Sequence, residues 1–598
     1  MKEWRLLPEL KPSEELIKLN LNPLLLQLML HRGFTTPSAI NNFLNFKLDE
    51  GKILAMSQED DENGFYDPFI FKDMERAVEL IISHIKKGDL IIVYGDYDAD
   101  GVTSSVILYE TLRLLQAKAE VYLPDRVSEG YGLNKMAINK IRQGGAKLVI
   151  TVDTGIRNKE EVTYAQGLGL NVIITDHHVL PEELNQLPDC PIINPADTRN
   201  NYPCPFLAGV GVSYKLISAL LIKSKLSPKQ KQQLADKALD LVALGTVADM
   251  VSLKDENRLL VKRGLEIINR NQRLGLNQLL FSAGINTTKP IEAWNIGWQI
   301  APRLNAASRL SHANTAFSLL TTDDRAEAKE LAEELNQRNS SRQEITKEIM
   351  LQVEEKIDKN NVPEIIIGVC DDNQAWNEGV IGLVAGKIAE KYYRPTLIIT
   401  RLVEAVEFDS KEKKLIPKQV SFKGSGRSIP ELNLIKAIEK NAAHLNKYGG
   451  HPMACGFSLD SEEKLRLFKE GMLKLAKEKL AKVNLVPKID IEIELKKDDI
   501  NLDFAQDIEK LAPFGQNNHQ PKFVSYNFKV EDVTLMGEDK QHIKLRVNSF
   551  WAISFGGAKK YEEVKVGDRI DIVYYLEINK FNGREEVQLK IIDLKLSK

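Results

Sequence analysis

Between Leu90 and Ile193 the chain repeats one pattern: a short, mostly apolar run, then a polar cluster or turn, then a helical segment. The runs are Leu90 to Val93, Glu120 to Leu123, Leu148 to Thr151, Val172 to Thr175 and Ile192-Ile193. Strands that lack polar alternation are buried on both faces, so the pattern predicts an α/β fold with a mostly parallel sheet covered by helices. In such sheets ligands bind outside the carboxyl ends of the strands, where residues distant in sequence converge. Three polar clusters fall there: Asp96-Tyr97-Asp98-Ala99-Asp100-Gly101, Asp153-Thr154-Gly155 and Asp176-His177-His178. A further helical stretch, Leu241 to Asp249, ends an otherwise apolar run on one carboxylate.

The first cluster sets three carboxylates within five residues. Extended backbone would place Asp96, Asp98 and Asp100 on one face, before Gly101 lets the chain turn into a helix over Val102 to Leu115. Alone, such a cluster reads more readily as a solvated acidic loop, and a lone His-His pair as core or surface. Taken together, Asp98, Asp100, Asp153, His177 and Asp249 form a candidate ligand set for two divalent cations, with Asp153 between them. Hard carboxylate oxygens suit Mg²⁺ or Mn²⁺, and the single imidazole favours Mn²⁺ over zinc or calcium. Paired cations about 3.5 to 4 Å apart serve in-line displacement at phosphorus, so the expected reaction class is phosphoester hydrolysis. His178 is expected to contact the scissile phosphate or protonate the leaving group.

At 598 residues the chain exceeds one core. The expected organisation is an N-terminal helical segment (1–70), a first α/β domain (71–323), a polar connecting helix (324–360), a second α/β domain (361–465) and a β-rich barrel of the OB type (466–598). An acidic loop is expected around Gln58 to Gly64, and Asn582-Gly583 signals a hairpin. Aromatics of the barrel region, Phe514, Tyr526, Phe528, Trp551 and Phe555, read as stacking residues or as core. Cys190, Cys204, Cys370 and Cys455 form no C-x-x-C pair and are expected as reduced thiols. No leader or membrane-length apolar run is seen, so the expected compartment is the cytoplasm, with no membrane partner. A net charge of -3 does not exclude nucleic acid, because only the local field acts on phosphates.

The three strand-end clusters resemble the first three motifs of the DHH phosphoesterases, and Leu244-Gly245-Thr246-Val247-Ala248-Asp249 resembles the fourth. Trp376-Asn377-Glu378-Gly379-Val380-Ile381-Gly382 and Gly449-Gly450-His451-Pro452-Met453-Ala454-Cys455-Gly456 are similar to the DHH-associated domain. With a β-rich third domain, the match covers residues 70 to 598 and is similar to the bacterial single-strand-specific DNA exonucleases of this superfamily. The resemblance implies hydrolysis of single-stranded DNA from its 5′ end with Mn²⁺ or Mg²⁺, by a monomer, in DNA repair and recombination. Single-strand-binding protein and a RecQ-type helicase are the implied protein partners. Asp98, Asp100, Asp153, His177 and Asp249 would ligate metal, and Asp96 would be a further ligand or support one. Asp176 would orient the imidazoles or cap the next turn.

A terminal phosphate calls for Arg forks and backbone N–H groups. The resemblance puts Arg126, Ser425 and Arg427 near the 5′ phosphate, and Arg303, Asn305 and Arg309 along the path of the strand. Gly449, Gly450 and His451 are expected to meet phosphate through a glycine turn. The chain departs from the family pattern in three places. Asn377 stands where a His is usual, Ser308 and Ser311 where glycines are usual, and Asn517-Asn518-His519 where Gly-Asn-Pro is usual. Two other readings stay open: a DHH-type phosphodiesterase acting on short oligonucleotides or cyclic dinucleotides, and a non-catalytic DNA-binding scaffold.

Overall fold

The computed structural model describes residues 2–45, 65–270, 273–371, 375–409, 414–581 and 583–597, so the expected loop around Gln58 to Gly64 lies outside the described residues. The first unit is a five-stranded parallel sheet in the order Lys118–Tyr122, Leu90–Gly95, Ala146–Val152, Asn171–Thr175, Ile192–Ile193. Alternate residues point to opposite faces. Val93, Ile150 and Ile173 pack with the helices Met74–Lys87, Ala99–Leu114 and Gly209–Lys223, while Ile92, Val149 and Ile174 pack with Lys135–Gln143 and Lys159–Gly167. The chain leaves Leu90–Gly95 to one side and returns to build on the other. The crevice between the ends of Leu90–Gly95 and Ala146–Val152 is therefore the switch point at which such sheets bind ligands.

The helix Arg325–Glu355, capped by Asp324, joins this unit to the second. Its polar composition suggested a mere connector. It also buries Ala328, Ala332 and Leu335 in the first core and Ile349 and Val353 in a second core, which fixes the two units against each other. The second sheet runs Lys447–His451, Ala454–Leu459, Lys414–Arg427, Thr396–Asp409, Ile366–Val369 and is mixed, with only the last pair parallel. The Lys-rich helix Glu462–Leu480 lays Leu465, Phe468, Met472 and Ala476 into the core of this sheet. Burying each large side chain contributes about 1.5–3 kcal/mol. The boundary expected between 465 and 466 therefore cuts an element of the second unit, and the lysines of that helix form its solvated face.

The third unit is a six-stranded barrel, closed by pairing of Phe523–Met536 with Arg569–Phe581. Phe581 pairs with Arg584, so the connection has the two-residue length of a tight hairpin; Asn582 itself lies outside the described residues. The N-terminal segment is not a separate piece, as residues 1–70 were expected to be. Glu3–Leu6 pairs in parallel with Lys488–Ile491, and Leu16, Leu25, Leu28, Met29 and Phe43 share one core with Phe504, Phe523 and Tyr574 of the barrel unit. Arg5 forks onto Asp490 at 2.6 and 2.8 Å, and Trp4 Nε1 donates to Asp593 at 2.9 Å. The chain's two ends are thus one body.

Arg258 fastens that body to the first unit. It comes from the helix Asp255–Ile268, is fully buried, and donates to the carbonyls of Phe43, Lys510 and Ala512 at 3.1, 3.0 and 2.8 Å, with its guanidinium 3.8 Å from the Phe43 ring centroid. Burial, then the charge of Arg32, hold its pKa down at about 10. Arg258→Ala strands these carbonyls and is expected to destabilise this junction by about 3 kcal/mol or more. Limited proteolysis should then release the N-terminal segment well before the first unit is cut; an unchanged cleavage pattern would deny Arg258 this role.

Candidate functional site

The loop after Leu90–Gly95 is organised by its own carboxylates. Asp98 is the N-cap of the helix Ala99–Leu114, its Oδ1 accepting from the N–H groups of Asp100 and Gly101, both at 3.0 Å. Asp100 consequently lies in the first helical turn, and the three aspartates do not share one face of extended backbone as expected. Capping starts the helix three residues earlier than the apolar pattern suggested. Gly101 is required by proximity, since a Cβ there would fall 2.5 Å from the Asp96 carbonyl oxygen. Asp100 in turn accepts from Gly209 N–H at 2.7 Å and Val210 N–H at 2.9 Å, at the positive end of the helix Gly209–Lys223.

Asp153 ends its strand at φ 62°, the left-handed region, with its N–H held by the Thr175 carbonyl at 3.0 Å. Strain of this kind is of order 1 kcal/mol and here aims the carboxylate into the crevice. A Cβ on Gly209 would fall 2.6 Å from that of Asp153. Asp249 caps the C-terminal end of Pro228–Ala248, and its Oδ2 lies 3.5 Å from His177 Nε2, which is itself 3.1 Å from Asp153 Oδ1. Three overlapping groups place ligating atoms within 4.8 Å of one another: Asp96, Asp98 and Asp153; Asp100, His177 and Asp249; Asp153, His177 and His178.

Electrostatics set these side chains apart from an ordinary acidic cluster. Burial first, then neighbouring carboxylates, push Asp96 and Asp153 well above the usual range, Asp100 up to about 7 and Asp249 up to about 9. Burial, then the charge of His178, hold His177 down at about 4, leaving its imidazole neutral with a free lone pair. Asp96 Oδ1, Asp153 Oδ1 and His177 Nε2 are buried without a hydrogen-bond partner among the described residues. Buried, mutually repelling carboxylates and an orphaned imidazole nitrogen are what a divalent cation would satisfy, so the residues present fit one.

Asp176 serves His178 and the backbone. Its Oδ1 accepts from the N–H groups of His177 and His178 at 2.7 and 3.1 Å and lies 2.8 Å from His178 Nδ1, while Oδ2 accepts from Ile156 N–H at 2.9 Å. It therefore both caps and orients, but it holds only one of the two imidazoles. Burial alone would lower the His178 pKa; the contact with Asp176 outweighs it and raises it to about 9. Tyr131, which the sequence reading passed over, brings its hydroxyl to 3.0 Å from His178 Nδ1. Its only sequence signal is a place between Gly130 and Gly132, both at positive φ.

On the other wall, register gathers the second unit's residues. Ser425 faces Gly456, which faces Gly449, and Arg427 faces Ala454, which faces His451. Gly449, Gly450 and His451 thus form an exposed edge strand, not the expected glycine turn, because Lys447–His451 pairs along its whole length. Arg309 donates to the Gly379 carbonyl at 2.6 Å and lies in the field of Arg126, Arg342 and Arg427. Burial, then those cations, lower its pKa to about 9, as expected of guanidiniums gathered to meet an anion. Arg126 stacks over the Tyr97 ring at 4.7 Å. Arg342 went unread because it sits in a helix whose charged composition resembles any solvated face.

Asn305 is tied to the ligand loop. Its Oδ1 accepts from Ala99 N–H at 2.8 Å and so braces the Asp98 turn, while Arg303 reaches Asn336 and the Gln299 carbonyl at 2.9 and 2.6 Å. Where the usual His is replaced, Asn377 caps the helix Glu378–Tyr392, accepting from Gly379 N–H at 2.8 Å. Ser308 is accommodated inside Ala301–Leu310, which ends at Ser311. Asn518 donates to the Leu511 and Pro513 carbonyls, both at 2.9 Å, and accepts from Arg32 at 3.3 Å. That departure thus ties the barrel unit to the N-terminal segment. In the barrel Phe528 is core, Phe514 packs beside it, Tyr526 and Phe555 are exposed, and Trp551 lies under Lys544 at 4.0 Å and Arg546 at 4.9 Å.

Two results are expected of unfolding experiments. Mn²⁺ at a hundredfold excess over its Kd adds about 2.7 kcal/mol for one bound ion, whereas Asp153→Asn stabilises the metal-free protein and abolishes that gain. The raised carboxylates bind protons in the folded state, so their contribution is present below the ordinary value of 3.8 and lost as pH rises through about 7 and about 9. The Mn²⁺-induced shift in Tm should therefore grow from pH 5 to pH 9; a pH-independent shift would contradict this electrostatic picture.

Family models describe the same arrangement: "DHH family, N-terminal domain" matches residues 90–246, "DHHA1 domain" residues 363–478 and "RecJ OB domain" residues 491–593. The single-stranded-DNA-specific exonuclease RecJ of Bacillus subtilis strain 168 is 36% identical over 98% of this chain and 70% of its own length. The protein of the same name from Escherichia coli K12 is 33% identical over 87% of this chain and 89% of its own. Among solved structures, RecJ of Thermus thermophilus in complex with Mn²⁺ superposes with a TM-score of 0.78 at 26% identity, covering 100% of this chain and 80% of that one. A second, exonuclease RecJ bound to manganese, covers 69% of this chain and 98% of that one at 31% identity and a TM-score of 0.56. With all three domain models in order and such identity over nearly its whole length, the chain belongs to the RecJ family of DHH phosphoesterases.

Proposed function

We propose that the chain is a single-stranded-DNA-specific exonuclease that hydrolyses phosphodiester bonds from the 5′ end, using Mn²⁺ or Mg²⁺, in DNA repair and recombination. The observation that carries this reading is the buried set of unpartnered ligand atoms at the strand ends, in a chain whose relatives are single-stranded-DNA-specific exonucleases. Two cations would be held by Asp98, Asp100, Asp153, His177 and Asp249, with Asp96 completing the set. When bound they supply Lewis acidity that activates a water and stabilises the leaving oxygen.

The protein's own groups bind and orient. Asp176 fixes His178 through Nδ1, so that Nε2 is turned to hydrogen-bond the scissile phosphate. Asn305 keeps the Asp98 turn in place from the neighbouring helix. Arg427, Ser425, Arg126 and Arg309 form the receptor for a terminal 5′ phosphate, with Gly449, Gly450 and His451 at its edge, and Arg303 and Arg342 extend the positive wall. What supports a terminal phosphate as the anchored group is the gathering of Arg126, Arg342 and Arg427 around Arg309, and 5′ polarity rests on the family resemblance. Single-strand-binding protein and a RecQ-type helicase, acting with it in the cytoplasm, complete the reading. No described helix is long and apolar enough to cross a membrane.

Digestion of end-labelled strands tests this. Single-stranded DNA should be shortened from the 5′ end only with Mn²⁺ or Mg²⁺, and blunt duplex should resist. Asp153→Ala should lower kcat about a thousandfold or more, several kcal/mol of transition-state stabilisation. Arg427→Ala should raise KM for 5′-phosphorylated strands by roughly 10- to 100-fold, the value of one charged hydrogen bond, with less effect on 5′-hydroxyl strands. Full nuclease activity in Asp153→Ala, or equal rates on blunt duplex, would defeat the reading.

A further inference from the structure

Three of the candidate ligands depend on backbone that two loops supply. The loop 202–208 leads into the helix Gly209–Lys223, whose Gly209 and Val210 N–H groups hold Asp100. In the same loop the Leu207 backbone hydrogen-bonds the His177 ring and favours its protonated form, so the Leu207 carbonyl accepts from an imidazole N–H. Because Nε2 faces Asp153 at 3.1 Å and has no hydrogen-bond partner, that N–H is on Nδ1. A carbonyl in this place sets the tautomer of a metal-binding imidazole and the aim of its free nitrogen. The second loop, 249–254, carries Asp249 and ends at the helix Asp255–Ile268. Met250 at φ 59° and Asp255 at φ 52° are both left-handed, a conformation that the surroundings must hold.

Asn257 grips both loops. It lies in the first turn of Asp255–Ile268, is fully buried, and its Nδ2 donates to the Phe206 carbonyl at 2.6 Å and to the Ser252 carbonyl at 3.0 Å. Phe206 immediately precedes Leu207, and Ser252 follows Asp249 by three residues. The backbone adds a third tie, for the N–H groups of Phe206 and Asn257 both donate to Cys204 Sγ. Beside it Glu256 accepts from the Tyr202 hydroxyl at 2.6 Å and pairs with Lys215, which anchors the start of the same loop. Asn257 Oδ1, in contrast, is buried without a hydrogen-bond partner among the described residues. An amide that leaves its acceptor unsatisfied in a core gives up stability there. Both of its donors go to the two loops that hold the ligand set.

We propose that Asn257 is a positioning residue for the metal centre: its one side-chain amide sets the spacing between the loop that orients His177 and Asp100 and the loop that carries Asp249. The inference rests on the nuclease reading above and deepens it, because cations held by ligands from separate loops require those loops at one fixed separation. Asn257 meets neither metal nor substrate and acts only through the two backbones it bonds.

The test titrates the full chain with Mn²⁺ alone and reads the free ion by electron paramagnetic resonance. Asn257→Ala should bind Mn²⁺ roughly 10- to 100-fold more weakly than wild type, the usual cost of losing a group that orients metal ligands. Leu260→Ala, from the same helix and the same core, is the control for stability alone, and should lower Tm while leaving Mn²⁺ affinity unchanged. Asn257→Ser keeps one hydroxyl donor for the two carbonyls and should fall between Asn257→Ala and wild type; it carries the comparison if Asn257→Ala does not fold. In digestion of single strands the half-saturating Mn²⁺ concentration should rise by the same factor, with kcat restored by excess Mn²⁺. Wild-type Mn²⁺ affinity in the Asn257 variants, or an equal loss in Leu260→Ala, would overturn the proposal. If the wild-type chain bound Mn²⁺ but degraded no single strands, the nuclease reading would fall instead, and the binding comparison would still decide the role of Asn257.

Discussion

Mutual repulsion among buried carboxylates is the constraint around which the first unit is built. Asp96, Asp100, Asp153 and Asp249 sit where burial and one another's charge oppose ionisation, at a cost that the surrounding fold must sustain. The parallel sheet delivers Asp96 and Asp153 to adjacent strand ends, helix starts at Ala99 and Gly209 fasten Asp98 and Asp100, and the left-handed Asp153 is held by Thr175. Glycines at 101, 209 and 245 let backbone approach where any Cβ would collide; at Gly245 it would fall 2.8 Å from Asp100 Oδ1. Such preorganisation is favoured when a cation relieves the repulsion, and so stability is given up for function at these positions.

The remaining units build the walls around that centre. The connecting helix belongs to two cores at once, which sets the second sheet's Ser425 and Arg427 opposite the ligand loop. The N-terminal segment closes the chain back onto the barrel, and Arg258 locks both to the first unit through three backbone carbonyls. Replacing any one of these joints is expected to alter the spacing between the proposed phosphate pocket, the candidate ligand set and the barrel without touching a candidate ligand.

Much of the centre was legible in the sequence because its signals are local. Apolar runs of strand length, each followed by Asp or His, mark strand ends whatever the remainder of the chain does, and the sheet order follows from βαβ connections. The geometry of Asp96, Asp98 and Asp100 was not legible in the same way: whether Asp98 continues a strand or caps a helix depends on which N–H groups compete for its oxygens. The N-terminal helices look self-contained, because their partners Phe504 and Phe523 lie more than 450 residues away and leave no periodic trace. Gly449-Gly450 suggested a turn since glycine permits one, yet pairing to Cys455 and Gly456 overrides that preference. Arg342 and Tyr131 matter only through neighbours that folding supplies.

The central claim is that these carboxylates and His177 form one site for two cations joined through Asp153. Crystals grown with Mn²⁺ and measured at the manganese absorption edge test it directly. Two anomalous peaks about 3.5–4 Å apart are expected, with Asp153 between them and His177 Nε2 on one. A single peak, or peaks that leave Asp153 without a metal contact, would contradict it.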